Sequence, residues 1–122
     1  MEHLGEVEVD WSDAVVLWID VEASSPVPFI AHVLRVRPLG VLVAGGQARE
    51  RFDRLARELS GSQGPVVMTG WRADEPEKVL EDFFWGFFPV EDRFDSWRRY
   101  VVVVPESLTP RLATAVADFL RP

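Results

Sequence analysis

Residues 66–88 read VVMTGWRADEPEKVLEDFFWGFF, and their order decides the architecture. A β-branched run leads through Thr69-Gly70-Trp71 into an acidic stretch, a proline and then five aromatics in six residues. Asp74 and Glu77 stand at capping-box spacing, and Pro76 suits a first helical turn. Val79, Leu80, Phe83, Phe84 and Phe87 follow at helical spacing on one face, which Trp85 and Phe88 leave. The stretch is a strand, a turn and an amphipathic helix, the repeating piece of a parallel α/β sheet.

Three other apolar runs have the same character, at 14–19, 40–44 and 100–104, beside the one at 65–68. All are β-branched and nearly continuous, as strands buried on both faces are. Helical patterns separate them. One opens at Ser24-Ser25-Pro26, puts Val27, Ile30 and Leu34 on one face, and stops before Pro38. A second spans 47–60 with Phe52, Leu55, Ala56 and Leu59 inward. The last opens at Thr109-Pro110 and buries Leu112, Val116, Phe119 and Leu120. The order β-α-β-α-β-α-β-α predicts a single three-layer α/β/α domain, Rossmann-like or flavodoxin-like, with a mostly parallel four-stranded sheet. Residues 1–12 are an acidic segment or an extra edge strand, because Val7, Val9 and Trp11 alternate with Glu6, Glu8 and Asp10. One domain, 1–122, accounts for the chain, and its size allows about two thirds of the unfolded surface to be buried.

Composition narrows the class. The chain is 48% apolar and 27% charged, ordinary for a globular protein, and has no cysteine. That removes disulfides, thiolate nucleophiles and cysteine-based zinc sites. No run approaches the ~20 apolar residues of a membrane span, and the acidic start does not resemble a signal peptide. The expectation is a bacterial, cytoplasmic protein without membrane association. Net charge is −7, with seven acids and no Lys or Arg in residues 1–25 and seven Arg against three acids in 26–72. No broad basic face for nucleic acid results. An acidic surface suits a partner with a basic surface.

The block at 67–76, with Val79-Leu80 and Phe83-Phe84-Trp85 beyond it, resembles a family of small bacterial proteins of unknown function. In that family a similar strand ends in Met-Thr-x-Trp and runs through Asp-Glu-Pro into an aromatic helix. The resemblance extends loosely over 13–104. Gly45-Gly46 stands here where the family has Trp-Gly, and Arg72 where it has His. The family has no assigned activity, so the resemblance implies the fold and transfers no catalytic residue.

In open α/β sheets ligands bind beyond the carboxyl ends of the strands. The residues expected there are Asp20 and Glu22, Gly45 and Gly46, Thr69, Trp71, Arg72 and Asp74, with Glu106 after the last strand. Asp20, Glu22 and Glu106 could converge on a divalent cation, but acids at strand ends are also ordinary loop residues and helix-start anions, so no metal is expected. Gly45-Gly46 before a helix suits an anion, yet the dinucleotide and P-loop fingerprints are absent and Lys78 is the only lysine. No cofactor is expected. A receiver-type phosphoacceptor site fails as well, since Thr69-Gly70 and Pro105-Glu106 occupy the places of its acid and lysine. There is no nucleophile elbow, and neither His3, near the terminus, nor His32, expected on a helix surface, is placed as a base. No catalytic residue is identified.

The five tryptophans are the more distinctive resource. Trp18 is expected in the core. Trp85, Phe88, Phe94 and Trp97, beside Glu91, Asp92 and Asp95, form either a satellite core under a loop or a partner-binding face. The sequence therefore favours a non-enzymatic acidic protein-binding module, of immunity, adaptor or regulatory type, in which self-association is an option. The alternative is a small Rossmann-like ligand- or nucleotide-binding domain or enzyme with its site at the strand ends.

Overall fold

In the computed structural model, which describes residues 10–19, 27–104 and 106–120, strands and helices alternate along the chain. They are β1 (Ala14–Ile19), α1 (Val27–Val36), β2 (Gly40–Ala44), α2 (Ala48–Ser60), β3 (Met68–Arg72), α3 (Pro76–Gly86), β4 (Arg99–Val103) and α4 (Thr109–Leu120). Two 3-10 helices, Glu91–Ser96 and Glu106–Leu108, flank β4. The four strands are parallel in the order β3-β2-β1-β4, an α/β domain as the sequence predicts. No described helix is long and apolar enough to cross a membrane.

Strand order dictates the layers. The chain moves outward from β1 to β3, then returns past both inner strands to place β4 on the other side of β1. Crossovers of one hand can do this only if α1 and α2 cover one face and α3 the other, where α4 joins it through Leu112. The cores obey. Val16, Trp18, Val41 and Val43 pack with Phe29, Ile30, Val33 and Leu55 on the first face. Val15, Leu17, Ile19 and Leu42 pack with Val79, Leu80, Phe83 and Leu112 on the second. Every residue of β1 and β2 is buried. Phe119 and Leu120, expected in the second core, lie outside the residues whose side chains are described.

Four local expectations are corrected. The third strand begins at Met68 and not at 65, so Thr69, Gly70, Trp71 and Arg72 belong to the strand and not to its exit. Two arginines explain the shift. Arg37 donates to the Pro65 carbonyl at 2.6 and 3.1 Å and Arg93 to the Val66 carbonyl at 2.7 Å, which holds this stretch outside the ladder. Burial beside Arg37 pushes the Arg93 guanidinium below its ordinary pKa. Second, the N-cap of α3 is Glu75 and not Asp74, and it makes no side-chain cap; its carboxylate and that of Glu77 both face Arg111 of α4. Third, α1 is rotated from the expected face. Phe29, Ile30, His32 and Val33 are buried while Val27 is exposed, so His32 is a core residue. Its Nδ1 lies 2.8 Å from Arg35 Nη2.

The fourth concerns the N-terminal segment. Trp11 is not in a strand. It is buried against Phe29 and edge-on to His32, with ring centroids 5.7 and 4.4 Å away. The proposed partners in an edge strand, Val7 and Val9, lie outside the described residues. Asp10 and Asp13 instead tie the chain to β4. The Asp13 carbonyl accepts the Arg98 and Arg99 amides at 2.8 and 3.2 Å, and its carboxylate binds the Arg99 guanidinium at 2.8 Å.

Close approach of α3 to the sheet depends on Gly40. A Cβ there would lie 2.9 Å from Phe87 Cε2 and 3.2 Å from the Met68 carbonyl oxygen. Gly40→Ala is therefore expected to destabilise by about 1–3 kcal/mol in urea unfolding, the usual cost of overpacking. Gly46→Ala, where a Cβ would meet nothing within 4 Å, should change stability far less.

Candidate functional site

Two regions compete for the role of site. The first is a cleft at the carboxyl ends of the strands, about 390 Å³ in volume. Ile19, Ala44, Gly45, Gly46, Ala73, Asp74, Glu75 and Pro76 line it, so it opens on the α3 side. Gly45 makes the turn from β2 into α2 with φ of +120°, a conformation that side chains disfavour. Of the residues expected at a strand-end site, the cleft gathers Gly45, Gly46 and Asp74. Asp20 and Glu22 lie outside the described residues.

The other expected residues do not converge there. Thr69 and Trp71 pair in register with Val41 and Val43, whose side chains belong to the α1/α2 core. They therefore share that face, away from α3 and the cleft, and Trp71 is 36% exposed on an edge strand. Arg72 is exposed, and its guanidinium donates to the Trp71 carbonyl at 2.8 Å. The polar side chains lining the cleft are two carboxylates, and Glu75 already reaches Arg111 of α4 at 3.4 Å. Glu77 meets the same arginine at the N-terminal end of α3. Hydrogen bonding from Arg111 holds the Glu77 carboxyl below its ordinary pKa and raises that of Arg111. Carboxylates beside a cleft repel phosphate, which weighs against a nucleotide. Among the described residues, no group of three or more His, Asp or Glu is placed to hold a metal ion.

The second region is built from the aromatics after α3. Gly86 ends α3, Pro89 is buried, and the 3-10 helix Glu91–Ser96 carries the chain to β4. Arg93 anchors that helix by donating to the Pro38 and Val66 carbonyls at 3.2 and 2.7 Å. With this anchor, Phe88, Phe94 and Trp97 meet with ring centroids 5.7–6.3 Å apart. Trp97 passes the contact to Tyr100 of β4 at 5.5 Å, and Tyr100 meets Phe84 at 4.9 Å and Phe83 at 5.5 Å. These are favourable tilted and edge-to-face separations.

The cluster is rooted in the core and open at its outer side. Phe83 is buried and Trp97 packs on the α3/α4 core, while Phe88, Phe94 and Tyr100 are 47%, 45% and 44% exposed. Trp85, on α3, is 71% exposed. The choice between satellite core and surface resolves into a graded arrangement. Tyr100 is the member that sequence reasoning missed, since it was counted only as a strand residue. Its register with Val15 places it on the α3 face, and the strand's period of two carries that signal once the partner is known.

Comparison of the chain with protein-family models, characterised proteins and solved structures returns no match.

Two measurements follow from this geometry. Trp71→Ala should lower stability by about 1 kcal/mol, against about 3–5 for Phe83→Ala, because only the second ring is fully enclosed. The Glu77 carboxyl has a lower pKa folded than unfolded, so its contribution is present above the ordinary value of 4.5 and fades as pH falls through the depressed one. The stability gap between wild type and Arg111→Gln in urea titrations should therefore narrow below pH 4.5. A gap unchanged down to the acid-unfolding range would contradict the pairing.

Proposed function

We propose that this protein is a non-enzymatic binding module that engages another protein through the aromatic face around Phe88, Phe94, Trp97 and Tyr100. The observation that carries the reading is the graded burial of that cluster. Its inner rings are fixed by the core, and its outer rings stay nearly half exposed. Aromatics held rigidly at a surface lose little conformational freedom on binding and serve as anchors of interfaces. Neighbouring exposed rings on one face are more informative than scattered ones, because single exposed apolar residues are normal.

The acidic balance supports a partner with a basic surface. The lack of cysteine suits a reducing compartment, and a bacterial cytoplasmic setting is part of the proposal. An immunity, adaptor or regulatory role fits a small domain of this kind. The runner-up is a small-molecule site in the strand-end cleft, favoured by its position at the carboxyl ends of parallel strands. The carboxylates of Asp74 and Glu75 place it second for any anionic ligand.

Affinity capture from the cells that express the chain separates the readings. Wild type should retain a stoichiometric protein partner that Phe88→Ser/Phe94→Ser loses while keeping its circular dichroism and unfolding midpoint. Co-purification of a small molecule or metal, unaffected by that variant and lost with Asp74→Asn, would favour the cleft instead.

A further inference from the structure

We infer that β4 pairs in solution with the β4 of a second copy, antiparallel across a two-fold axis at Val102, so that two four-stranded sheets become one. The inference goes beyond the aromatic-face reading and does not depend on it. It starts from a mismatch between sequence and position. Tyr100 is followed by four consecutive valines, a run as apolar as β1 and β2 and typical of a strand enclosed on both faces. Every residue of β1 and β2 is buried. β4 instead lies at an edge of the sheet, with Val101 to Val104 half-buried and Tyr100 exposed.

Register shows what that edge offers. The Arg99 amide donates to the Asp13 carbonyl, and Arg99 stands opposite Ala14. Backbone groups alternate between the two sides of a strand, so Arg99, Val101 and Val103 serve β1 while Tyr100, Val102 and Val104 turn theirs outward. Among the described residues no hydrogen bond engages those outward backbone groups. Edge strands are commonly guarded by charge, proline or a bulge, and Tyr100 to Val104 carries no charge, proline or glycine. The opposite edge is guarded. Arg37 and Arg93 hold the carbonyls of Pro65 and Val66 outside the ladder, Gly70 interrupts β3, and Arg72 ends it.

This difference between the edges decides the occupant. Pairing β4 with a neighbour's β3 joins unlike surfaces and grows open-ended, and the guards on β3 oppose it. β4 on β4 closes after two copies. With Val102 opposite its own image, Tyr100 of each copy lies opposite Val104 of the other, an aromatic against a β-branched residue. All the outward backbone groups then exchange hydrogen bonds. The side chains of Tyr100, Val102 and Val104 share the α3/α4 face, so the pair also extends that core across the axis. Like charges are not apposed, since the two copies of Arg99 stand about 20 Å apart, beyond the screening length at physiological salt. A single strand pair is small beside the roughly 800 Å² per copy of a standard interface, and a net charge of −7 opposes association. The dimer is therefore expected to dissociate in the micromolar range.

Sedimentation equilibrium of the full chain over about 1–200 µM tests this, and should show a monomer–dimer equilibrium. Val102→Pro removes an outward N–H and no bond of the β1–β4 ladder, so it should stay monomeric while keeping its circular dichroism. The chain has no cysteine, which allows a second readout that a folding defect in the proline variant does not touch. Val102→Cys should form an interchain disulfide under mild oxidation, because a hydrogen-bonded antiparallel pair sets its Cα atoms about 5.5 Å apart. Thr69→Cys, on the edge strand β3, should not. A wild type that stays monomeric across the range overturns the inference, and if Val102→Pro then loses a captured partner the edge belongs to a foreign strand. A dimer that Val102→Pro retains, or that Val102→Cys fails to cross-link, overturns it as well. A dimer lost in Phe88→Ser/Phe94→Ser and kept in Val102→Pro would assign self-association to the aromatic face instead.

Discussion

The structure depends on β1 being buried on both faces. All six residues, Ala14 to Ile19, are enclosed, and β2 and β4 pair along its two edges. A strand of this kind cannot belong to a two-layer fold, since alternate side chains would then face water. It demands a helical layer on each side, and the reversal of strand order at β1 supplies them. Burial of its Val, Leu and Ile side chains contributes about 1.5–3 kcal/mol each before entropy is counted. Trp18 extends the same logic to the strand's end, stacked on Phe29 at 4.0 Å with the Arg51 guanidinium carbon 5.2 Å from its ring.

Much of this was legible from residue order. The continuous apolar runs marked strands enclosed on both faces, and the proline and helical spacings located the helices between them. What could not be read locally depends on partners distant in sequence. Val66-Val67 has strand propensity as strong as any segment in the chain, yet the ladder begins at Met68, because guanidinium groups 28 and 27 residues away take the preceding carbonyls. His32 appeared to be a surface residue because its immediate neighbours did not reveal that Trp11 closes over it. Glu77 had capping-box spacing, but a cation on another helix competed for it. Each departure is a long-range polar or aromatic contact overriding a local preference.

The candidate site shows the same limit. Thr69, Trp71, Arg72 and Asp74 are near neighbours in sequence, and the pleat of β3 divides them. Thr69 and Trp71 share the face of Val41 and Val43, while Asp74 lines a cleft on the other side. The aromatics of 84–100 behave in the opposite way. They are spread over α3, a 3-10 helix and β4, and Arg93 draws the segment together by pinning its middle to the sheet's lower end. Phe88 and Phe94 remain outside the two cores after the fold is satisfied, whereas Phe83 and Phe87 are consumed by it. The proposed binding function draws on that surplus.

Under the proposed function the protein acts through the aromatic face and not through the strand-end cleft. Amide hydrogen exchange of the chain with and without its captured partner tests it most directly. Slowed exchange is expected across residues 84–100, with residues 44–47 and 73–76 unchanged. Slowed exchange at 44–47 and 73–76, with 84–100 unaltered, would contradict it.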